Sequence, residues 1–177
     1  ESDFEIKYVD NVAGKKSTQK DSDGKGWYSG KSLYSTTGLI FDGPEYISVV
    51  NGVNGSEMAR TNNIPRGGTG SNYERAKFWF DYWGDDYGNR MDRFFIGVAY
   101  LDAIPENGIR KANPSLIITR GIYKNWQVWA LDLKGGNLNI RWKFDTKETG
   151  NIACVAMGSH SFRVADLNGD HKDEILY

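Results

Sequence analysis

The chain has 177 residues, of which 39% are hydrophobic and 25% charged, a globular balance that argues against general disorder. Twenty-two Lys and Arg against 23 Asp and Glu leave a net charge of −1, so the basic excess that nucleic-acid binding requires is missing. No apolar run approaches the roughly 20 residues of a membrane span, and the single cysteine, Cys154, excludes an intrachain disulfide or a multi-cysteine zinc site.

Glycine is frequent (21) and proline scarce (4), a composition of tight turns rather than stiff linkers. Near the start, Asp21-Ser22-Asp23-Gly24-Lys25-Gly26 alternates acids beside glycines but lacks later oxygen donors, which makes it a polar loop rather than a cation site. The role of residues 1–40, Trp27 included, is left open. The first strand is expected at Tyr46–Val50, closed by Asn51-Gly52 and Asn54-Gly55 turns. Residues 66–82 read as a loop insertion, and no run of 12 or more residues keeps a 3.6-residue period.

Next comes a dense block, Trp83-Gly84-Asp85-Asp86-Tyr87-Gly88-Asn89-Arg90-Met91-Asp92-Arg93-Phe94. Arginine grips carboxylates bidentately and aromatic rings stack on sugar faces, so the block suits a uronic-acid polymer. A salt-bridged structural loop is the equal alternative. Trp79 and Trp83, flanking a loop, are candidate sugar platforms, whereas Trp126, Trp129 and Trp142 fall in strands and are expected in the core.

Further strands are expected at Phe94–Leu101, Ser115–Thr119, Gln127–Leu133, Leu138–Phe144 and Ser161–Ala165, with 104–113 as an insertion. Val128-Trp129-Ala130-Leu131 and Leu116-Ile117-Ile118 are apolar at consecutive positions, as in strands covered on both faces. The fold is therefore expected to be all-β, a stack of small sheets. Internal similarity sharpens this: 98–118 recurs more tightly at 164–177, and 46–58 resembles 127–140. Such units are how β-propeller blades are written. On this reading 45–60 ends one blade, 94–145 forms another and 161–177 begins a third, about two blades where closure takes about four to eight. The rest of its own propeller is then an expected partner.

The last motif is Asp166-x-Asn168-Gly169-Asp170-x-Lys172-x-Glu174. Its side-chain oxygens at positions one, three, five and nine, with the Lys172 carbonyl at seven, suit Ca²⁺. His171 stands where such loops prefer glycine, and an ion-free Asx-rich turn is the alternative. No Ser-His-Asp pattern, P-loop or dinucleotide motif is present.

Laid out in order, these stretches resemble the rhamnogalacturonan lyases of polysaccharide lyase family 11. The resemblance rests on Gly43-Pro44-Glu45-Tyr46, the 83–94 block, V-A-Y-L-D at 98–102, P-S-L at 114–116 and Arg120-Gly121-x-Tyr123. It continues through Arg141-Trp142-x-Phe144-Asp145, His160 and V-A-D-x-N-G-D-x-K-D-E-I at 164–175, holding from about residue 40 onward.

The resemblance implies an eight-bladed propeller that needs calcium and cleaves pectic rhamnogalacturonan I by β-elimination, working outside the cell or in the periplasm. Together with the chemistry of the 83–94 block it makes Trp83, Asp85, Tyr87, Asn89, Arg90, Arg120 and Tyr123 candidate substrate contacts. It makes His160 a ligand of a divalent metal, beside the loop ligands Asp166, Asn168, Asp170, Lys172 and Glu174. The family's elimination residues fall outside the matched stretch, so no catalytic base is named. Asn125, Ser159 and His171 depart from the family pattern and motivate a second expectation, a non-catalytic calcium-binding module that holds pectic polysaccharide.

Overall fold

The computed structural model describes residues 45–70, 72–85, 89–102, 105–106, 109–110 and 113–177. Within them the chain is mostly antiparallel sheet. A ribbon of β1 (Tyr46–Val50) and β2 (Glu57–Asn62) comes first, then helix α1 (Asn72–Tyr82). The central sheet is a four-stranded meander of β3 (Phe94–Ala99), β6 (Ser115–Arg120), β7 (Gln127–Lys134) and β8 (Asn137–Asp145), in that spatial order. A short hairpin, β4 (Pro105–Glu106) with β5 (Ile109–Arg110), lies in the 104–113 insertion. The chain finishes with a two-stranded ribbon of β9 (Arg163–Ala165) and β10 (Glu174–Leu176).

The expected strands all form, with ends shifted by one or two residues. The helix is the correction. The sequence makes 66–82 a loop, since its aromatics crowd together without an evident period, yet residues 72–82 of it are helical. Phe78 stacks on Tyr82 at 5.2 Å, Lys77 bonds Asp81 at 2.9 Å, and Trp79 and Trp83 form one buried stripe, all at i, i+4. Gly84, at φ 105°, ends the helix as its N–H bonds the Trp79 and Phe80 carbonyls. Among the described residues no helix is long and apolar enough to cross a membrane. β2 also escaped the sequence reading, because Glu-Met-Ala-Arg-Thr-Asn is largely polar and only Ala59 is buried.

The consecutive apolar runs are explained by cover on both faces of the central sheet. On one face Ile118, Trp129, Leu131 and Leu138 pack with Ala59 and Ile64, supported by Ile47 and Val49 of the first ribbon. On the other, Ala99, Ile117, Trp126, Val128 and Ala130 meet Phe162, Val164, Ile175 and Tyr177 from the last ribbon. Each ribbon has only two strands, against four in the central sheet. The first leans on β8, the last on β3. What they leave is apolar: Phe94, Ile96 and Val98 are exposed along β3. On the opposite face a groove of about 590 Å³ is lined by Trp126, Trp142, Phe144, Met157 and Tyr177, among others. Tyr177 stacks on Trp126 at 4.3 Å, and burial pushes its phenol up to about 12.

Candidate functional site

Two blocks singled out in the sequence, 83–94 and 120–123, come together at one end of the central sheet. Arg120 is the last residue of β6, and its side chain is fully buried. Its guanidinium donates to Glu45 Oε2 at 2.6 Å, the Ile64 carbonyl at 2.7 Å and Asp92 Oδ1 at 2.6 Å. Arg66 closes the network, 2.7 Å from Glu45 Oε1 and 3.4 Å from Asp92 Oδ1. Phe94 and Trp83 present ring faces to Arg120 at 5.0 and 5.8 Å. Burial pulls Arg120 below its usual value, against Glu45 and Asp92; it pushes Asp92 up, against Arg66 and Arg120. Buried charges are tolerated when they are paired, and here both terminal nitrogens of Arg120 are paired while its buried Nε finds no hydrogen-bond partner.

This geometry corrects part of the substrate-contact expectation. Trp83 and Trp79 are both fully buried, and each indole N–H is spent inside the protein, on the Arg66 and Gly67 carbonyls at 2.7 and 3.0 Å. Neither is a sugar platform. Burying a large ring stabilises the fold by about 1.5–3 kcal/mol or more, which outweighs any surface role here. Arg120 cannot reach a polymer either. Asp85 is buried too, and its Oδ2 accepts the Arg90 backbone N–H at 2.6 Å, so it shapes the turn rather than contacting a ligand. Tyr87 lies outside the described residues.

The remaining members face outward. Asn89 is exposed, and its two oxygens accept from the Arg93 guanidinium. Arg90 lies over the Tyr123 ring at 5.5 Å and within 4.0 Å of Asp85. Tyr123 is 44% exposed, and its hydroxyl pairs with His160 Nε2, the two rings lying 4.9 Å apart. Half-buried Arg90 and exposed Tyr123 and His160 therefore form a surface file of a guanidinium, a phenol and an imidazole. The sequence reading named all three but gave no reason to join them, since His160 is 37 positions from Tyr123. The signal that could have joined them is Gly158. It exchanges backbone hydrogen bonds with Tyr123 at 3.2 and 3.3 Å, and a Cβ there would sit 2.6 Å from the Tyr123 nitrogen.

The Asp166–Glu174 loop stands apart from this file, tied to the central sheet through Asp173, which accepts the Tyr100 N–H at 2.7 Å. Asp166 accepts from the Gly169 and His171 backbones, Asn168 from Asp170, Asp170 from Lys172, and Glu174 from Leu167 and Asn168. His171 adopts φ 67°, the left-handed conformation its position requires. The donor types are those of a hard-cation loop. Among the described residues, however, no three His, Cys, Asp or Glu side chains converge as a metal-holding group, and His160 pairs with Tyr123 rather than with this loop. Of the departures, Asn125 is fully buried; its Oδ1 accepts the Thr146 hydroxyl, while its Nδ2 is buried with no hydrogen-bond partner.

Comparison with known proteins agrees with the motif order. The profile of Rhamnogalacturonan lyase family 11, C-terminal domain, matches residues 4–177, beginning well before the motif resemblance does. The chain is 38% identical to rhamnogalacturonan exolyase YesX of Bacillus subtilis (strain 168), covering 92% of this chain and 24% of that protein. It is 37% identical to rhamnogalacturonan endolyase YesW of the same strain, covering 89% and 23%. Among solved structures, the Bacillus licheniformis rhamnogalacturonan lyase PL11 superposes with a TM-score of 0.65 at 41% identity, over 81% of this chain and 21% of that one. The chain thus spans about a quarter of the length of the curated relatives it matches.

Proposed function

Because this chain belongs to rhamnogalacturonan lyase family 11, we propose that it is part of a lyase that cleaves pectic rhamnogalacturonan I by β-elimination. The observation that carries this reading is the family match over residues 4–177, with about 37–38% identity to two rhamnogalacturonan lyases across most of the chain. One of those relatives is an exolyase and the other an endolyase, so the reading leaves the cleavage mode unassigned.

The architecture in this proposal is a β-propeller. Its support is the four-stranded meander flanked by a two-stranded ribbon on each face, together with the internal repeat that aligns 46–58 with 127–140 and 98–118 with 164–177. The exposed row on β3 and the groove beside Trp126 and Trp142 are then where the missing strands of neighbouring blades pack.

In the reaction, a base removes the C5 proton of a galacturonate, and the rhamnose linked at O4 leaves. The carboxylate must be neutralised first, because it opposes carbanion formation at C5. Half-buried Arg90, its guanidinium over the Tyr123 ring, is suited to grip that carboxylate. Asn89 lies beside it as a hydrogen-bonding side chain. Calcium, held by Asp166, Asn168, Asp170, Glu174 and the Lys172 carbonyl, would supply fixed positive charge and loop rigidity. His160 would be a ligand of a second divalent site. A pectic substrate places the enzyme outside the cell or in the periplasm.

The test is to incubate the full-length protein with rhamnogalacturonan I and follow unsaturated uronide. Release that stops on chelation and returns with Ca²⁺ supports the lyase reading. Polymer binding in affinity electrophoresis without any unsaturated product would replace it with the non-catalytic module.

A further inference from the structure

We infer that Lys124 and Phe80 form a second acidic-sugar subsite beside Arg90 and Tyr123, holding the carboxylate of a further galacturonate on the same polymer chain. This rests on the proposed pectic substrate and adds a place for more of it.

The two pairs are built alike. Arg90 lies over the Tyr123 ring at 5.5 Å, and Lys124 Nζ lies over the Phe80 ring at 5.7 Å. Both rings are open to solvent, Tyr123 at 44% and Phe80 at 43%. A cation held at an exposed ring offers charge to a carboxylate and an apolar surface to the C–H face of a pyranose. Tyr123 and Lys124 are consecutive, yet they serve different pairs, because Tyr123 sits in the left-handed region at φ 58° and the chain turns there. The Tyr123 hydroxyl meets His160, whereas Lys124 reaches back to the end of α1, its Nζ donating to the Phe80 carbonyl at 3.2 Å.

Gly84 brings the pairs together. At φ 105° it closes α1, and a Cβ there would sit 2.6 Å from Arg90 Nη1 and 3.1 Å from Lys124 Cβ. A side chain at 84 would occupy the place where both basic residues lie against the helix end. Glycine alone meets the backbone conformation and leaves that room.

Both cations keep donors for a ligand. Among the described residues the acid paired with Arg90 is buried Asp85, 4.0 Å from its Nε, which leaves the two terminal nitrogens outside that pair. Asp81, near enough to feel the charge of Lys124, is itself bonded by Lys77 at 2.9 Å. Lysine has three N–H donors; the Phe80 carbonyl takes one and two remain. That carbonyl lies at the C-terminal end of α1, where a cation is stabilised, so the ammonium is fixed in place without being neutralised.

The test is affinity electrophoresis of the full-length protein at constant Ca²⁺, in gels holding rhamnogalacturonan I or the same polymer with its carboxyls reduced. Unsaturated-uronide release and thermal unfolding are followed alongside. The expected result is that the native polymer retards wild type more than the reduced one. Lys124→Met should weaken native binding about tenfold while leaving reduced-polymer binding and the unfolding midpoint unchanged, and Lys124→Arg should restore retardation. Phe80→Leu should weaken binding to both polymers, since the ring contact does not depend on charge. If Lys124→Met or Phe80→Leu is retarded by the native polymer as a uronide-releasing wild type is, the subsite is wrong and the lyase reading stands. A Lys124→Met loss on both polymers, matched by a lowered midpoint, would make Lys124 a brace for the helix end and also overturn it. Wild type that is neither retarded nor releases uronide fails the pectic reading, and this inference with it.

Discussion

The residues of the 83–94 and 120–123 blocks divide into two groups with opposite fates. Trp83, Asp85, Asp92 and Arg120 are drawn into the interior, while Asn89, Arg90 and Tyr123 stay at the surface, at most a few residues away in sequence. The difference is set by distant partners. Glu45 before β1 and Asp92 supply the counter-charges that let Arg120 be buried, and Arg66 after β2 binds the same two acids; for Arg90 the acid paired among the described residues is Asp85, at 4.0 Å, and its guanidinium turns toward an exposed ring. Guanidinium and ring chemistry suits an interior ion-pair network as well as a uronic acid. What separates the two uses is the company each residue keeps in the fold.

The contrast can be broken most forcefully from the buried side. Arg120→Met leaves Glu45 and Asp92 without their main partner and is expected to cost about 3–5 kcal/mol in denaturant unfolding. Trp83→Ala, which opens a cavity under the same network, is expected to cost a similar 3–5 kcal/mol or so. A smaller loss, about 1–3 kcal/mol, is expected for Gly158→Ala, which forces the 158–160 segment off Tyr123. The exposed side should behave in reverse. Arg90→Met is expected to stay within about 0.5 kcal/mol in stability, yet to raise KM for rhamnogalacturonan by about tenfold through loss of a charge-assisted bond. If Arg90→Met unfolds the protein and Arg120→Met does not, the division drawn here is reversed.

The smallest effect concerns a surface pair outside both groups. Arg141 bonds both oxygens of Asp102 and holds its carboxyl below the usual value of 3.8. A lowered acid contributes stability above its unfolded-state value and loses it as pH falls through the folded one. Asp102→Asn should therefore be slightly less stable than wild type at neutral pH, with the gap closing below about pH 4. Exposure of the pair keeps the gap small, and a gap that widened on acidification would contradict the assignment.

The strands were legible because period, turn residues and apolar runs act locally: Val128 to Leu131 announced a two-faced strand and formed one. The helix was not, since its five clustered aromatics and aromatic neighbours hide an i, i+4 stripe that only Trp79 and Trp83 buried together make plain. Of the candidate site, Arg90, Tyr123 and His160 could be named from motif order, but their meeting depends on the backbone exchange at Gly158, a tertiary fact. For Trp83 and Arg120 the residue types were right and the inferred use was wrong, because burial is decided by Glu45, Ile64 and Arg66, which no local pattern ties to them.

The most direct test of the central claim is unsaturated-uronide release from rhamnogalacturonan I, measured side by side for the full-length wild type and His160→Ala. The account predicts release by the wild type and a rate lowered at least about 100-fold in the variant, with the unfolding midpoint unchanged. No release by the wild type, or equal rates from both proteins, would contradict it.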